Sequence, residues 1–212
     1  MIFNKLERLI YILPDSKDQS FLTEKTLQAI SNGVKWIQLR IKNIDSDQLL
    51  EIARNVKQIT DHHQVKLTIN DNPFVAKSIN AYGVHVGLND MPVKEVRKIL
   101  GQKKIIGGTA NTWEDVIYQI SQGADYIGLG PLRFTTTKNN LSPVLGMEGY
   151  KAITEKLRMN KKNIPVFAIG GIQPKDVVNL LKNGVYGVAV SSAITENPEI
   201  AKEFLKKTKE CL

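Results

Sequence analysis

Several short stretches of this chain carry residue types that can act on a phosphorylated molecule. Gln38, Arg40 and Lys42 alternate, so on an extended backbone one amide and two cations point to one side. Two cations at one place suit a diphosphate, with the arginine gripping oxygens in fork geometry. The plainer reading pairs them with a nearby acid such as Asp45. Asp71 and Asp90 offer hard oxygen ligands, and Mg²⁺ uses one or two carboxylates while phosphate oxygens and water complete its shell. Each also stands just ahead of a proline-led helix, before Pro73 and Pro92, where an ordinary helix cap is the competing role. Thr135, Thr137 and Lys138 make a hydroxyl-rich basic loop that can donate to phosphate, or simply a polar surface turn. Gly170-Gly171 before a helix, with Ser191-Ser192 in the next unit, can cradle a monophosphate on backbone N–H groups.

The elements that must position these groups alternate along the whole chain. Apolar runs at 8–13, 34–40, 66–70, 83–87, 104–108, 126–130, 165–169 and 186–190 read as strands. Helical spacing, with Gly or Pro at several of the ends, fills 21–32, 46–63, 74–80, 93–100, 112–122, 149–159, 174–183 and 198–207. Eight such alternations without a break in composition predict a single-domain α/β chain, a (β/α)₈ TIM barrel over residues 1–212. A doubly wound open sheet is the alternative, and the near-continuous apolar strands favour closure. In such a barrel the site lies at the C-terminal strand ends. Gln38, Arg40, Lys42, Asn70, Asp71, Asn89, Asp90, Thr109 and Asn111 then share one rim with the Thr135–Lys138 loop, Gly170-Gly171 and Ser191-Ser192. Their convergence says more than any one of them. It gives a metal-assisted anion site on strands two to four and a metal-free one on strands seven and eight.

Bulk properties narrow the class further. The 212 residues are 42% hydrophobic, enough for a sizeable core. No apolar run approaches the ~20 residues a membrane span needs, and the N-terminus does not read as a signal peptide. One cysteine, Cys211, excludes an internal disulfide or a cysteine metal site, so a cytoplasmic setting is expected. The net charge of +8 suits anionic partners, but the lysine pairs are scattered and no aromatic-basic motif marks nucleic acid. Small phosphorylated substrates are the expected partners, with no nucleic acid and no membrane; a homo-oligomer stays open. His85, alone inside an apolar strand, reads as a core residue, and His62 and His63 as exposed. Nothing pairs serine or cysteine with histidine, so covalent catalysis is not expected.

Taken in order, Gln38-Leu-Arg40-Ile-Lys42, Ile69-Asn-Asp71, Gly83-Val-His-Val-Gly87 with Asp90, and Gly107-Gly-Thr109-Ala resemble the thiamine phosphate synthase (thiamine-phosphate pyrophosphorylase) family. So do Tyr126-Ile-Gly-Leu-Gly-Pro131, Thr135-Thr-Thr137-Lys138, Ala168-Ile-Gly-Gly-Ile172 and Ser191-Ser-Ala-Ile194. The resemblance covers nearly the whole chain. It implies a (β/α)₈ transferase that joins hydroxymethylpyrimidine diphosphate to a thiazole phosphate and releases pyrophosphate, with Mg²⁺ as cofactor. By position, Gln38, Arg40, Lys42, Asn70, Thr109 and Lys138 are implied to hold the pyrimidine diphosphate, and Arg40, Lys42 and Lys138 to serve catalysis. Asp71 and Asp90 are implied to bind the metal, and Thr135, Thr137, Gly171, Ser191 and Ser192 the thiazole phosphate.

The chain departs from the family pattern at Ile41, where glutamate is usual, and at Asn72, where a second aspartate is common. Thr109 replaces serine, Asn111 histidine, and Phe134 a proline. None of these removes a metal ligand or a cation. The thiazole tautomerase relative is the nearest rival, and retention of Asn70-Asp71, Asp90 and Lys138 argues against it. A barrel isomerase or lyase, or a non-catalytic binding module, are further rivals that Mg²⁺-independent activity or salt-sensitive nucleic-acid retention would reveal.

Overall fold

The computed structural model describes residues 6–134 and 143–210. Eight parallel strands close into a barrel in chain order: β1 (Leu9–Ile12), β2 (Trp36–Leu39), β3 (Lys66–Asn70), β4 (Gly83–Val86), β5 (Ile105–Ala110), β6 (Tyr126–Leu129), β7 (Val166–Ile169) and β8 (Gly187–Val190). The last strand pairs with the first, Leu9 beside Val188, so the open-sheet alternative is excluded. Helices follow the strands: α1 (Gln19–Ser31), α2 (Ser46–His62), α3 (Pro73–Ser78), α4 (Val93–Leu100), α5 (Trp113–Ser121), α6 (Gly146–Met159) and α7 (Pro174–Lys182). After β8 come two, α8 (Ser192–Glu196) and α9 (Ile200–Lys209). None among the described residues is long and apolar enough to cross a membrane.

Two differences from the sequence reading have local causes. A single last helix is expected, but the five-residue α8 intervenes, too short to leave a 3.6-residue pattern. The sixth helix starts at Gly146, ahead of the expected 149, because the Gly149 N–H bonds Leu145 O at 3.1 Å and continues the helical ladder. Elsewhere the ends are capped by short polar side chains. Asp18, Asp45 and Thr112 accept first-turn N–H groups of α1, α2 and α5, each substitution to Ala costing about 1 kcal/mol.

Alternating strand residues face outward to the helices and inward to the barrel. The outward set forms the larger apolar core, including Leu39, Ile69, Val84, Ile106, Ile127 and Val188. The inward set is a smaller cluster around Ile10, Trp36, Ile105, Tyr126 and Phe167. Trp36 meets the Tyr126 and Phe167 rings edge-on at 5.2 and 5.5 Å, worth about 0.5–1.5 kcal/mol per pair beyond burial. Glycines make the room. A Cβ on Gly107 would lie 2.1 Å from Tyr126 Cζ and 2.5 Å from His85 Nδ1, and one on Gly128 would lie 2.9 Å from His85 Cε1. The aromatic plug therefore closes the lower barrel and leaves the polar groups to the strand C-terminal ends.

Candidate active site

Above the plug, the barrel lining turns polar. His85 stands between the Tyr126 hydroxyl (3.1 Å from Nδ1) and the Thr109 hydroxyl (3.0 Å from Nε2). Burial pushes the Tyr126 phenol far up, so it stays protonated. The histidine is thus a buried, hydrogen-bonded member of the lining that holds Thr109 in place. One strand over, Gln38 Nε2 donates to Asn70 Oδ1 at 2.7 Å. Gln38, Asn70 and Thr109, all expected at the pyrimidine side, do line one end of the barrel.

Past the strand ends the charges gather. Arg40 and Lys42 follow β2, and their partners are not Asp45, which caps α2. Lys42 Nζ pairs with Asp71 Oδ2, its backbone N–H donates to Asp15 Oδ1 at 2.9 Å, and Arg40 Nη1 faces Asp15 Oδ2 at 3.9 Å. Asp15 is a rim residue that the sequence pattern does not mark. It closes the turn after β1, and an acid directly beyond a strand end is the signal that finds it.

Neither aspartate of the proposed metal pair is a helix cap. Asn72 caps α3 by accepting from Val75 N at 3.0 Å, while α4 begins after Pro92 with no side-chain cap. Asp71 instead takes a left-handed backbone, φ 63°, which Asp tolerates better than most residues. Its N–H is tied to His85 O at 2.8 Å. Asp90 Oδ2 accepts the Gly87 N–H at 2.9 Å, an approach that requires glycine, since a Cβ there would sit 2.5 Å from that oxygen. Desolvation on one side, then the neighbouring Asp71 carboxylate, push Asp90 above its ordinary range, against the pull of the Gly87 N–H and Lys42. Two crowded carboxylates short of positive charge are a fit for a hard divalent cation. Among the described residues no cluster of three or more His, Cys, Asp or Glu gathers for a metal, and two carboxylates are what Mg²⁺ takes when phosphate supplies the rest.

On the opposite side, the turn after β7 carries Gly170 (φ 91°) and Gly171 (φ 66°), and Ser191 follows β8 with Ser192 opening α8. The segment after β6 lies against this turn: Leu132 N–H donates to Ile169 O at 2.9 Å and Arg133 N–H to Gly170 O at 3.1 Å. The Arg133 guanidinium forks onto Asp176, 2.6 Å on each arm, and reaches Gly171 O at 2.9 Å. Burial alone would raise the Asp176 carboxyl, but the Arg133 hydrogen bonds and the Gln173 N–H hold it below its ordinary range. The sequence pattern marks neither Arg133 nor Asp176 as a site residue. Thr135, Thr137 and Lys138 lie outside the described residues, as does Cys211.

Most departures from the family pattern have a local role. Ile41 is buried in the outer core and Asn72 caps α3. The Asn111 side-chain amide donates to Gly130 O, tying the β5 and β6 ends together. Phe134 is 72% exposed.

A family model described as thiamine monophosphate synthase matches residues 9–194. The chain belongs to this family. It is 51% identical over 173 residues to a thiamine-phosphate synthase of Flavobacterium psychrophilum, spanning 81% of this chain and 84% of the relative. A Bacteroides fragilis thiamine-phosphate synthase is 43% identical over 195 residues, 92% of this chain and 95% of the relative. The solved thiamine phosphate pyrophosphorylase of Pyrococcus furiosus superposes with a TM-score of 0.81 at 31% identity, covering 97% of this chain and 96% of that one. The solved barrel of this family thus superposes on the present one over nearly the whole chain.

Proposed function

We propose that the chain is a Mg²⁺-dependent thiamine-phosphate synthase, joining hydroxymethylpyrimidine diphosphate to a thiazole phosphate with release of pyrophosphate. The family membership supports the reaction. The observation that carries the site assignment is the Asp71–Asp90 pair beside Lys42, with Arg40 next to it, on the β2–β4 side of the mouth. Gln38, Asn70 and Thr109 orient the pyrimidine; Gly171, Ser191 and Ser192 receive the thiazole phosphate, joined by Thr135 and Thr137.

The bond from the pyrimidine methylene to the diphosphate oxygen breaks first, its electron pair leaving with the diphosphate. Arg40, Lys42 and Lys138 stabilise the departing anion, and the pyrimidine ring stabilises the methylene cation left behind. The thiazole nitrogen then donates its lone pair and forms the new C–N bond. Mg²⁺ held by Asp71 and Asp90 would add charge neutralisation on the leaving group. The protein's share is electrostatic stabilisation together with alignment of two reactants, which alone can supply roughly 7–11 kcal/mol. For that, Lys42 must exchange Asp71 for the incoming diphosphate, and Asp15 keeps the β2 end in place meanwhile.

The test is product formation from the two purified substrates, with Mg²⁺ and with a chelator. Thiamine phosphate that forms only with Mg²⁺ is the expected result. Equal product with chelator removes the metal role, and no product from folded protein removes the synthase reading.

A further inference from the structure

The β6–β7 side of the mouth carries an arginine next to a phosphate cradle, where an arginine is ordinarily taken for a ligand. Here both arms of the Arg133 guanidinium end on Asp176 and one also reaches Gly171 O. The Asp176 side chain is only 6% exposed, while that of Arg133 is 44% exposed. Asp176 Oδ2 also accepts the Gln173 N–H at 2.8 Å, so one buried carboxylate gathers both the loop after β6 and the start of α7. The contact is also close: a Cβ on Gly171 would sit 3.2 Å from Arg133 Cβ.

We propose that Arg133 and Asp176 are positioning residues that set the Gly170-Gly171 turn, and with it the thiazole-phosphate half of the site, without binding the phosphate themselves. The physical reason lies in the backbone. Both glycines are left-handed, and a turn of that kind has several accessible conformations. A fork pinned at a carboxylate and at the Gly171 carbonyl selects one of them. Fork geometry matters more than charge, since a lysine ammonium cannot reach two carboxylate oxygens and a carbonyl in one plane. The effect should fall chiefly on one substrate, because Gln38, Arg40, Lys42, Asn70 and Thr109 stand on or just after β2, β3 and β5. Among the described residues their side-chain hydrogen bonds and ion pairs go to one another or to Asp15, Asp71 and His85, and not to the clamp.

The inference rests on the synthase reading, and the experiment separates the two. Steady-state constants are measured for both substrates with wild type, R133A, R133K and D176N, each with its Tm. R133A is expected to raise KM for the thiazole phosphate by about tenfold while kcat and KM for the pyrimidine diphosphate stay within about twofold. R133K is expected to resemble R133A, with a thiazole-phosphate KM at least about fivefold above wild type. D176N shifts the same KM, with a lower Tm. Equal changes in both KM values, wild-type constants in R133A, or rescue by R133K each overturn the proposal. If wild type itself makes no product, the synthase reading falls and the clamp's assigned purpose falls with it.

Discussion

On the β2–β4 side of the mouth, Asp71 and Asp90 crowd each other with Lys42 close by, and Asp90 is held above its ordinary range. On the β6–β7 side, Asp176 receives two guanidinium arms and a backbone N–H and is held below it. Both are acids at the same rim, a few residues beyond a strand end. The difference is in how complete their partners are. Asp176 is satisfied within the fold, so it stabilises a framework; Asp71 and Asp90 remain short of positive charge, which suits a ligand. The rule that perturbed carboxylates mark function is sharpened here: the direction of the perturbation separates Asp90 from the framework acid Asp176.

The largest break in this contrast comes from the poised side. D71N is expected to lower turnover at limiting Mg²⁺ by about a hundredfold or more, read from initial rates against Mg²⁺ concentration. An unchanged Mg²⁺ dependence would remove Asp71 from the ligand set. A subtler break leaves both acids in place. G87A puts a methyl group where Asp90 Oδ2 now lies, 2.5 Å away, and must push that carboxylate aside. The Mg²⁺ concentration for half-maximal rate should rise about tenfold, with far-UV circular dichroism unaltered. Wild-type Mg²⁺ response in G87A would mean that Asp90's position is unimportant.

Much of this architecture is legible in the sequence. The strands between helical patterns, several of them bounded by Gly or Pro, predict the closed barrel, because both periodicities are written into apolar spacing. The strand-end rule then brings Gln38, Asn70, Asp71, Asp90 and Thr109 to one mouth. What stays hidden is what local pattern does not encode. Whether Asp71 caps α3 or turns left-handed depends on Asn72 taking the cap, a choice made by one side chain. Arg133 and Asp176 are 43 residues apart, and no spacing rule links two loops that meet only after the barrel closes. Asp15 escapes for a simpler reason, since Pro14-Asp15 follows β1 and a Pro-Asp pair reads as a turn.

On the framework side the expected effect is on stability. D176N keeps an acceptor for Gln173 but loses the charge facing Arg133, a loss on the order of 1–2 kcal/mol at neutral pH. The sign in pH follows from the lowered carboxyl. Its stabilisation is present above the ordinary value of 3.8 and is lost as pH falls through the lower folded value. Denaturant midpoints of wild type and D176N should therefore differ at about pH 7 and converge below about pH 4. A gap that persists in acid would assign the effect to packing.

The smallest effect has the opposite sign and tests the contrast most directly. Asp90 is raised above 3.8 in the folded chain, so folding favours its protonated form. The advantage of that form is full below 3.8 and disappears as pH rises through the raised value, leaving a net cost at neutral pH. D90N carries no charge to repel Asp71 and keeps an oxygen for the Gly87 N–H. At about pH 7 it should be more stable than wild type by roughly 0.5 kcal/mol, a small gain because solvent screens a carboxylate open on one side. The gain should vanish in acid, and the same variant should lose Mg²⁺-dependent turnover. Lower stability in D90N at neutral pH would mean that Lys42 and the Gly87 N–H already compensate the pair in full. Asp90 would then belong with Asp176, as a framework acid.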